Sequence, residues 1–558
     1  MMKDIFKHKV QAGLAVMVTA ASLAVSCTDT WDDHYGQEPV AQGKTLWQNI
    51  AEDGELSQFA RVLQSCGYDR RLNDRQVFTV FAPVLDEHEA DSLINVYNED
   101  KKKGVKDSEN AMIVQFLNNH IALYNHSISS ATNDSLYMWN GKNIKLTSAA
   151  FGNEGFRGGQ QVASNGVLYK ISGIQPYFRN IWEQVQHDPR LSHLSDYIAM
   201  FSRYELDTDA SVPGGVVDGN IVYLDSVTYF YNTLMLGWGQ INHEDSSYIM
   251  LAPVNEVWDA KVEQYKDYYV YNRRVAGRDS LQKLHATAAV LEDLVYNRNE
   301  QRSIEDSICS TTYSSFVPKY SVYRNPFKPG GIFYGREEVK CSNGSLYVAE
   351  DFPMRPEQSY FMRTFKVEAE TEAYYTVENE GVTNCTDRTV PSTSPFSVSM
   401  DKFLMISSVG NSNTQVTFSF PNILSGVYYD IYCVFVPAIA YSEYATPQER
   451  LPYRATFHLS YRNEDGTYNN ERLSTPLQNP NPMPGQQNRF YVTRPDVMDT
   501  VLVLKDRQFP VTNIGDNETE LKLQIRSSVN QSEQTTYSRT MRIDCFILRP
   551  HVEKEGEE

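Results

Sequence analysis

Val77-Phe78-Thr79-Val80-Phe81-Ala82-Pro83 reads as a β-strand with a built-in stop. Branched and aromatic side chains suit a pleated backbone, and the proline cannot donate to a ladder beyond it. On its N-terminal side Leu46, Ile50, Leu56, Phe59, Val62 and Leu63 recur at helical spacing behind Thr45, a residue type that caps helices. On its C-terminal side a second helix is expected over 112–124. Ile113, Phe116, Leu117, Ile121 and Leu123 form its apolar side, with His120 beside them. Short strands are expected around Asn140-Gly141-Lys142 and at Val167-Leu168-Tyr169-Lys170-Ile171. Helices feeding a small sheet define an α+β unit.

The pattern then recurs. Ser247-Tyr248-Ile249-Met250-Leu251-Ala252-Pro253-Val254 echoes the first strand and its stop, and Ser342-Asn343-Gly344-Ser345-Leu346-Tyr347-Val348 echoes the stretch from Ser164 to Lys170. Both echoes are displaced by about 170 to 180 residues, which indicates an internal duplication. It predicts that Asn165 and Asn343 occupy equivalent turns, each opening the closing strand of its unit. Between the echoes, a helical pattern is expected over 180–204. Pro213-Gly214-Gly215 and a helix-like stretch over 281–308 read as insertions.

The order helix, Phe78-Thr79-Val80-Phe81-Ala82-Pro83, helix with Asn119-His120, then Ser164-Asn165-Gly166-Val167-Leu168-Tyr169-Lys170-Ile171 resembles a fasciclin (FAS1) domain. The first strand matches that family's TVFAP-type motif and the last its closing strand. Asn119-His120 falls where the family carries its middle tyrosine-histidine motif, but the tyrosine is missing; Tyr124 lies nearby without standing in for it. The resemblance implies one FAS1-like domain over 44–178 and a divergent second over 179–358, and it implies adhesion modules rather than enzymes.

After Pro353 helical periodicity nearly vanishes. Val416-Thr417-Phe418-Ser419-Phe420, the run over 428–436, Thr456-Phe457-His458-Leu459, Val501-Leu502-Val503-Leu504, Leu521-Lys522-Leu523-Gln524-Ile525 and the run over 541–548 are strand-like, so residues 360–551 are expected to form an all-β sandwich. Lys366-Val367-Glu368-Ala369-Glu370, Ser425-Gly426-Val427-Tyr428 and Ile543-Asp544-Cys545-Phe546-Ile547 resemble galactose-binding-like jelly rolls. That resemblance implies a structural calcium at Glu368 and Glu370; the residues alone read equally as an exposed alternating strand. No tryptophan follows Trp258, so sugar stacking would fall to tyrosines such as Tyr441 and Tyr444, which read equally as loop packing. The sandwich loops carry few strongly charged runs, which suits sugar rings better than charged polymers.

The N-terminus concerns location. Lys3, Lys7 and Lys9 precede an apolar run over 10–25 that ends Leu23-Ala24-Val25-Ser26-Cys27, a secretory signal too short to span a bilayer comfortably. A cysteine after small residues resembles the lipobox of bacterial lipoproteins. It implies a signal peptide over 1–26, lipid attachment at Cys27 and an acidic tether over 27–43. Thr28-Asp29-Thr30-Trp31-Asp32-Asp33 resembles the export signal that places such proteins on the outer face of the outer membrane in Gram-negative gut anaerobes. Residues 552–558 form a charged tail. The other six cysteines form no C-x-x-C pair, and Cys433 and Cys545 read first as buried small hydrophobes and second as bridge partners. A formal net charge of -19 disfavours nucleic acid as a partner.

No H-E-x-x-H, P-loop, G-x-G-x-x-G or G-x-S-x-G motif occurs. Asp86-Glu87-His88-Glu89 and His243-Glu244-Asp245 are the tight His/acid clusters, and both read as solvated edges. The expectation is a multidomain chain of two α+β FAS1-like domains followed by an all-β jelly-roll sandwich. Its expected function is non-catalytic, without a cofactor beyond a structural calcium. It would be an outer-membrane surface lipoprotein that binds glycan or nutrient polymer beside a transporter of the starch-utilisation (Sus) type. The alternatives are an adhesion lipoprotein with a protein ligand and a surface glycoside hydrolase, whose carboxylate pair would meet only in space.

Overall fold

The computed structural model describes residues 43–217, 220–298, 303–312, 320–354, 363–378, 381–473, 490–514 and 521–551. Cys27, the signal peptide, the tether to residue 42 and the tail from 552 lie outside the described residues. Two compact units meet between Tyr177 and Phe178.

In the first unit Thr45 caps the helix Leu46–Glu52. Its hydroxyl accepts from the Gln48 amide, and the Gln48 side chain accepts from the Thr45 amide at 3.0 Å. This helix and Ser57–Ser65 bury Leu46, Ile50, Phe59, Val62 and Leu63 completely. The strand Phe78–Pro83 is buried along its whole length. It pairs in parallel with Gly166–Ile171 and antiparallel with Ile121–Leu123. Phe78, Val80 and Ala82 pack on the helices, whereas Phe81 faces the other way and stacks on Phe151 at 3.9 Å. Burial on both faces explains a continuous apolar run in place of alternation. Each buried phenylalanine stabilises by about 1.5–3 kcal/mol.

Two local expectations fail. The helix over 112–124 stops at His120, after a π-turn over Ile113–Leu117, because Ile121–Leu123 joins the central strand instead. Asn140 Nδ2 donates to the Val114 carbonyl at 3.1 Å within the widened turn. Asn140-Gly141 is no strand but a turn, with Gly141 at φ 83, between Asn133–Tyr137 and Asn143–Thr147. Asn-Gly favours that left-handed geometry.

The second unit repeats the central arrangement. Tyr248–Pro253 runs parallel to Gly344–Ala349 with Tyr248 opposite Gly344, as Phe78 stands opposite Gly166. Asn165 Oδ1 accepts from the Leu46 amide at 2.8 Å, and its Nδ2 donates to the Leu72 and Asp74 carbonyls at 2.9 and 2.7 Å. Asn343 accepts from the Ile181 amide at 2.9 Å and donates to the Ile241 and His243 carbonyls at 2.7 and 3.0 Å. The two asparagines hold the same position in both units, tying the first helix to the closing strand. The glycine that follows each sits at φ 145 or 144, and a Cβ there would lie 1.9 Å from the Phe78 carbonyl oxygen or 1.8 Å from that of Tyr248. Only glycine fits.

The helical expectation over 180–204 ends early. Ile181–His187 and Ser192–Ala199 are helices, but Ser202–Val217 is a strand that pairs with Asn220–Asn232 in a two-stranded ribbon. Pro213-Gly214-Gly215 lies inside that ribbon, where the pairing register shifts. The stretch over 281–308 divides into the helix Arg278–Glu292 and the strands Val295–Asn297 and Ser307–Cys309.

The C-terminal region is a sandwich of two sheets. One orders Thr383–Thr389, Lys402–Ser408, Met541–His551, Tyr428–Phe435 and Asp499–Gln508, with Phe365–Glu368 also on Met541–His551. The other orders Tyr375–Thr376, Gln415–Ser419, Leu521–Ser527, Arg454–Arg462 and Tyr468–Arg472, with Tyr491–Val492 on Arg454–Arg462. Phe418 and Phe420 of the second sheet meet Phe546 of the first at 4.7 and 5.0 Å. The sandwich shares one apolar core with the preceding α+β elements. Thr512 N donates to the Val270 carbonyl at 2.7 Å, and Val270 N to Ser425 Oγ at 2.8 Å. Cys433 and Cys545 are buried free thiols, and the other four described cysteines are unbridged too. No described helix is long and apolar enough to cross a membrane.

Candidate functional site

The clearest site lies on the outer face of the second sandwich sheet. Strand alternation sends Val416, Phe418, Leu523, Ile525, Phe457 and Leu459 into the core, so the residues between them face outward. Register aligns them across four strands. Thr417 stands opposite Gln524, Gln524 opposite His458, and His458 opposite Arg472. The neighbouring row joins Lys522, Ser460 and Asn470. Together with Glu378, Glu471 and Arg526 these residues line a groove of about 390 Å³. No Phe, Tyr or Trp ring lines it among the described residues.

The groove is organised by its own hydrogen bonds. Gln524 Nε2 donates to Thr417 Oγ1 at 3.1 Å, and Thr417 Oγ1 to Glu378 at 2.7 Å. Gln415 Nε2 donates to the other Glu378 oxygen at 2.7 Å, and Arg526 Nε donates to Gln524 Oε1. Burial lowers the pKa of His458, and the Arg526 and Arg472 charges lower it further, so the imidazole is neutral at neutral pH. Neutral imidazole both donates and accepts. The groove therefore offers a grid of donors and acceptors about 4.8 Å apart across the strands. Arg472, Lys522 and Arg526 supply positive charge within an acidic chain. The alternation Lys522-x-Gln524-x-Arg526 was the signal in the sequence that could have found it.

Tyr441 and Tyr444 lie elsewhere. Tyr441 is half-buried, with Phe403 at 5.6 Å and the Arg542 guanidinium 5.8 Å from its ring centre. It borders a separate hollow of about 600 Å³ that Arg388, Glu449, Tyr537 and Arg539 also line. Tyr444 is 85% exposed and lines neither cavity. The Asn119-His120 motif is an internal brace. His120 is fully buried, its Nδ1 lies 2.7 Å from the Phe116 carbonyl, and its Nε2 accepts from the Gln175 amide at 3.0 Å.

The opening and closing strands of the sandwich bring acids together. Glu368 stands opposite Cys545, and candidate ligand atoms of Glu368, Asp544 and Cys545 all lie within 4.8 Å of one another. Ser399 is shared between the two acids. Its hydroxyl donates to Glu368 at 2.7 Å and its amide to Asp544 at 2.9 Å. Lys366 Nζ reaches the Ser399 hydroxyl at 3.1 Å. Oε2 of Glu368 and Oε2 of Glu370 are buried without a hydrogen-bond partner. Burial first, and then the Glu368 charge, push the Asp544 carboxyl up to about 6. Burial likewise raises Glu370, helped by Glu368, Asp387 and Asp544. Orphaned carboxylate oxygens facing like charges fit a hard cation that takes oxygen ligands. Of the two glutamates expected for calcium, Glu368 falls in this cluster with Asp544 and Cys545, and Glu370 feels the charges of Glu368 and Asp544 from beside it.

No known protein family matches the chain by sequence, and no curated protein matches it. Among solved structures it is similar to a FAS1 domain pair from the insect cell adhesion molecule fasciclin I. The identity is 13%, the coverage 55% of this chain and 100% of that one, and the TM-score 0.20. It is also similar to the C-terminal family 22 carbohydrate-binding module of Clostridium thermocellum Xyn10B, at 9% identity over 34% of this chain and 94% of that one, TM-score 0.21. A family 11 carbohydrate-binding module of a cellulosomal cellulase from the same organism gives 10% identity, 35% and 98% coverage, and a TM-score of 0.17.

Proposed function

We propose that this chain is a non-catalytic lipoprotein of the outer-membrane surface that binds a glycan or nutrient polymer as an accessory to a Sus-type uptake system. The observation that supports the reading is the polar groove, in which rows of Thr417, Gln524, His458 and Arg472, and of Lys522, Ser460 and Asn470, run side by side. Hydroxyl-rich rings are matched by such a grid. The three cations favour sugars bearing carboxylates over neutral ones, unlike the expectation drawn from loop composition. Without an aromatic platform, single-site affinity would lie in the range of about micromolar to millimolar, and several contacts along one polymer would add avidity.

Glu368 and Asp544 would hold calcium, with the orphaned Glu370 carboxylate beside them, and the ion would neutralise the acids that join the opening strand to the closing strand. Lipidation at Cys27 would keep the groove at the cell surface. Calorimetry of the full chain against a polysaccharide panel, with and without calcium, tests the reading. We expect binding that falls at least about tenfold in Lys522→Ala and Arg526→Ala, whereas heat from no glycan rejects it. Cys27→Ala should release the protein from membranes or leave it unprocessed; acylation as in wild type would reject the anchor.

Adhesion to a protein partner is the second reading, and the Ser202–Val217/Asn220–Asn232 ribbon favours it. Leu224 is 80% and Tyr204 74% exposed on a ribbon that pairs with no other described strand. Long exposed edges template pairing with other chains. Tight binding to a protein, abolished by Leu224→Asp and accompanied by silence across the glycan panel, would select this reading.

A further inference from the structure

A second cluster stands apart from both the groove and the Glu368 acids. Asp430, Asp506 and His551 come from three adjacent strands, Tyr428–Phe435 flanked by Asp499–Gln508 and Met541–His551. Register is lost between Tyr429 and Ile431, where Asp499–Gln508 carries an extra bulged segment. Asp506 lies in that bulge at φ 50, and its amide donates to Asp430 Oδ1 at 3.0 Å. Bulges re-aim side chains in this way. The Asp430 side chain is only 4% exposed, that of Asp506 12% and that of His551 21%.

The separations identify the chemistry. His551 Nε2 lies 3.4 Å from Asp506 Oδ1 and 3.7 Å from Asp430 Oδ1. A protonated imidazole on a carboxylate closes to about 2.7–2.9 Å. Two ligands held about 2.1 Å from one tetrahedral ion sit about 3.4 Å apart. Candidate ligand atoms of all three residues fall within 4.8 Å of one another. The Tyr428 ring stacks on the imidazole at 5.8 Å and 20°, fixing its plane. Asp430 adds an independent demand. It is a carboxylate more than nine-tenths buried, and among the described residues no Lys or Arg pairs with it. A buried charge of that kind requires a counter-charge at close range.

We infer that Asp430, Asp506 and His551 bind a divalent transition-metal ion of the zinc class. An imidazole with two carboxylates suits zinc, whereas the carboxylates of Glu368 and Asp544 would offer calcium oxygen ligands. Three protein ligands leave one position for water. The ion staples the end of Met541–His551 to Tyr428–Phe435 beside it and to Asp499–Gln508 beyond.

The test uses the full chain stripped with EDTA, then titrated with zinc chloride and, separately, cobalt chloride. One zinc equivalent should bind outside the calcium set and raise the melting temperature by at least about 2 °C at saturation. Cobalt should give a tetrahedral nitrogen–oxygen spectrum that excess calcium does not displace. His551→Ala and Asp506→Asn should each weaken zinc binding at least about tenfold. A thiolate charge-transfer band would assign the metal to cysteines and overturn the inference. So would a melting temperature indifferent to zinc, or equal zinc affinity in wild type and Asp506→Asn. Should His551→Ala fail to fold, Asp506→Asn and the wild-type cobalt spectrum still decide.

Discussion

Replacing Asn343 with alanine strips a buried side chain that satisfies three backbone groups at once: the Ile181 amide and the Ile241 and His243 carbonyls. Each group left without a partner costs about 1–3 kcal/mol. The His243 contact is only partly buried and can recruit water, so the expected loss is about 3–5 kcal/mol. That is a large share of the stability typical of one domain, about 5–15 kcal/mol. Asn343→Asp should be at least as damaging, because it sets a second acceptor against two carbonyl oxygens. Urea unfolding followed by tryptophan fluorescence separates the units. Trp182, Trp238 and Trp258 report the second, Trp47 and Trp139 the first. Asn343→Ala should lower the midpoint of the second unit alone, and Asn165→Ala that of the first alone. A loss below about 1 kcal/mol for either alanine variant, or an aspartate that behaves as wild type, would refute the bracing role.

Gly166→Ala should abolish assembly of the first unit, since its Cβ would meet the Phe78 carbonyl oxygen at 1.9 Å; a cooperative wild-type-like transition would contradict this. Without calcium, the native Asp544 holds its proton up to about 6 against an ordinary 3.8, so the folded state binds more protons between those values. Sandwich stability should therefore fall as pH rises from about 4 to about 6, and calcium or Asp544→Asn should flatten the slope in thermal melts. His120 behaves oppositely. Its burial pushes the pKa down from 6.5 to about 4, so the unfolded chain protonates first, and first-unit stability should be full above 6.5 and lost as pH falls toward 4. An imidazole that titrates by NMR near its ordinary value in the folded protein would contradict this.

The central strands were legible because burial on both faces leaves an unbroken apolar run, and the Ser-Asn-Gly echo marked the parallel partners directly. Ile121–Leu123 was not, since three apolar residues satisfy a helical and an extended period alike, and pairing with Phe78–Val80 decides between them. Pro213-Gly214-Gly215 suggested a break, yet a two-stranded ribbon absorbs it by shifting register. The sandwich strands showed as runs of branched and aromatic residues between turn-rich loops. The groove stayed hidden because its lining runs from Glu378 to Arg526 and only strand order makes those residues neighbours. Glu368 met Asp544 for the same reason: the register opposite Cys545 exists only after the sheet has formed. Tyr441 and Tyr444 are close in sequence but diverge, one onto Phe403 and the other into solvent.

The position of the last strand governs when the chain can finish folding. Met541–His551 sits inside its sheet, holding Lys402–Ser408, Tyr428–Phe435 and Phe365–Glu368 by hydrogen bonds. Until residues 541–551 have been made, the sheet has a gap at its centre and the strands on either side cannot register. Loop closure over so many residues makes such pairing slow. A chain ended before Met541 should therefore yield not a slightly shortened sandwich but an open, protease-sensitive one.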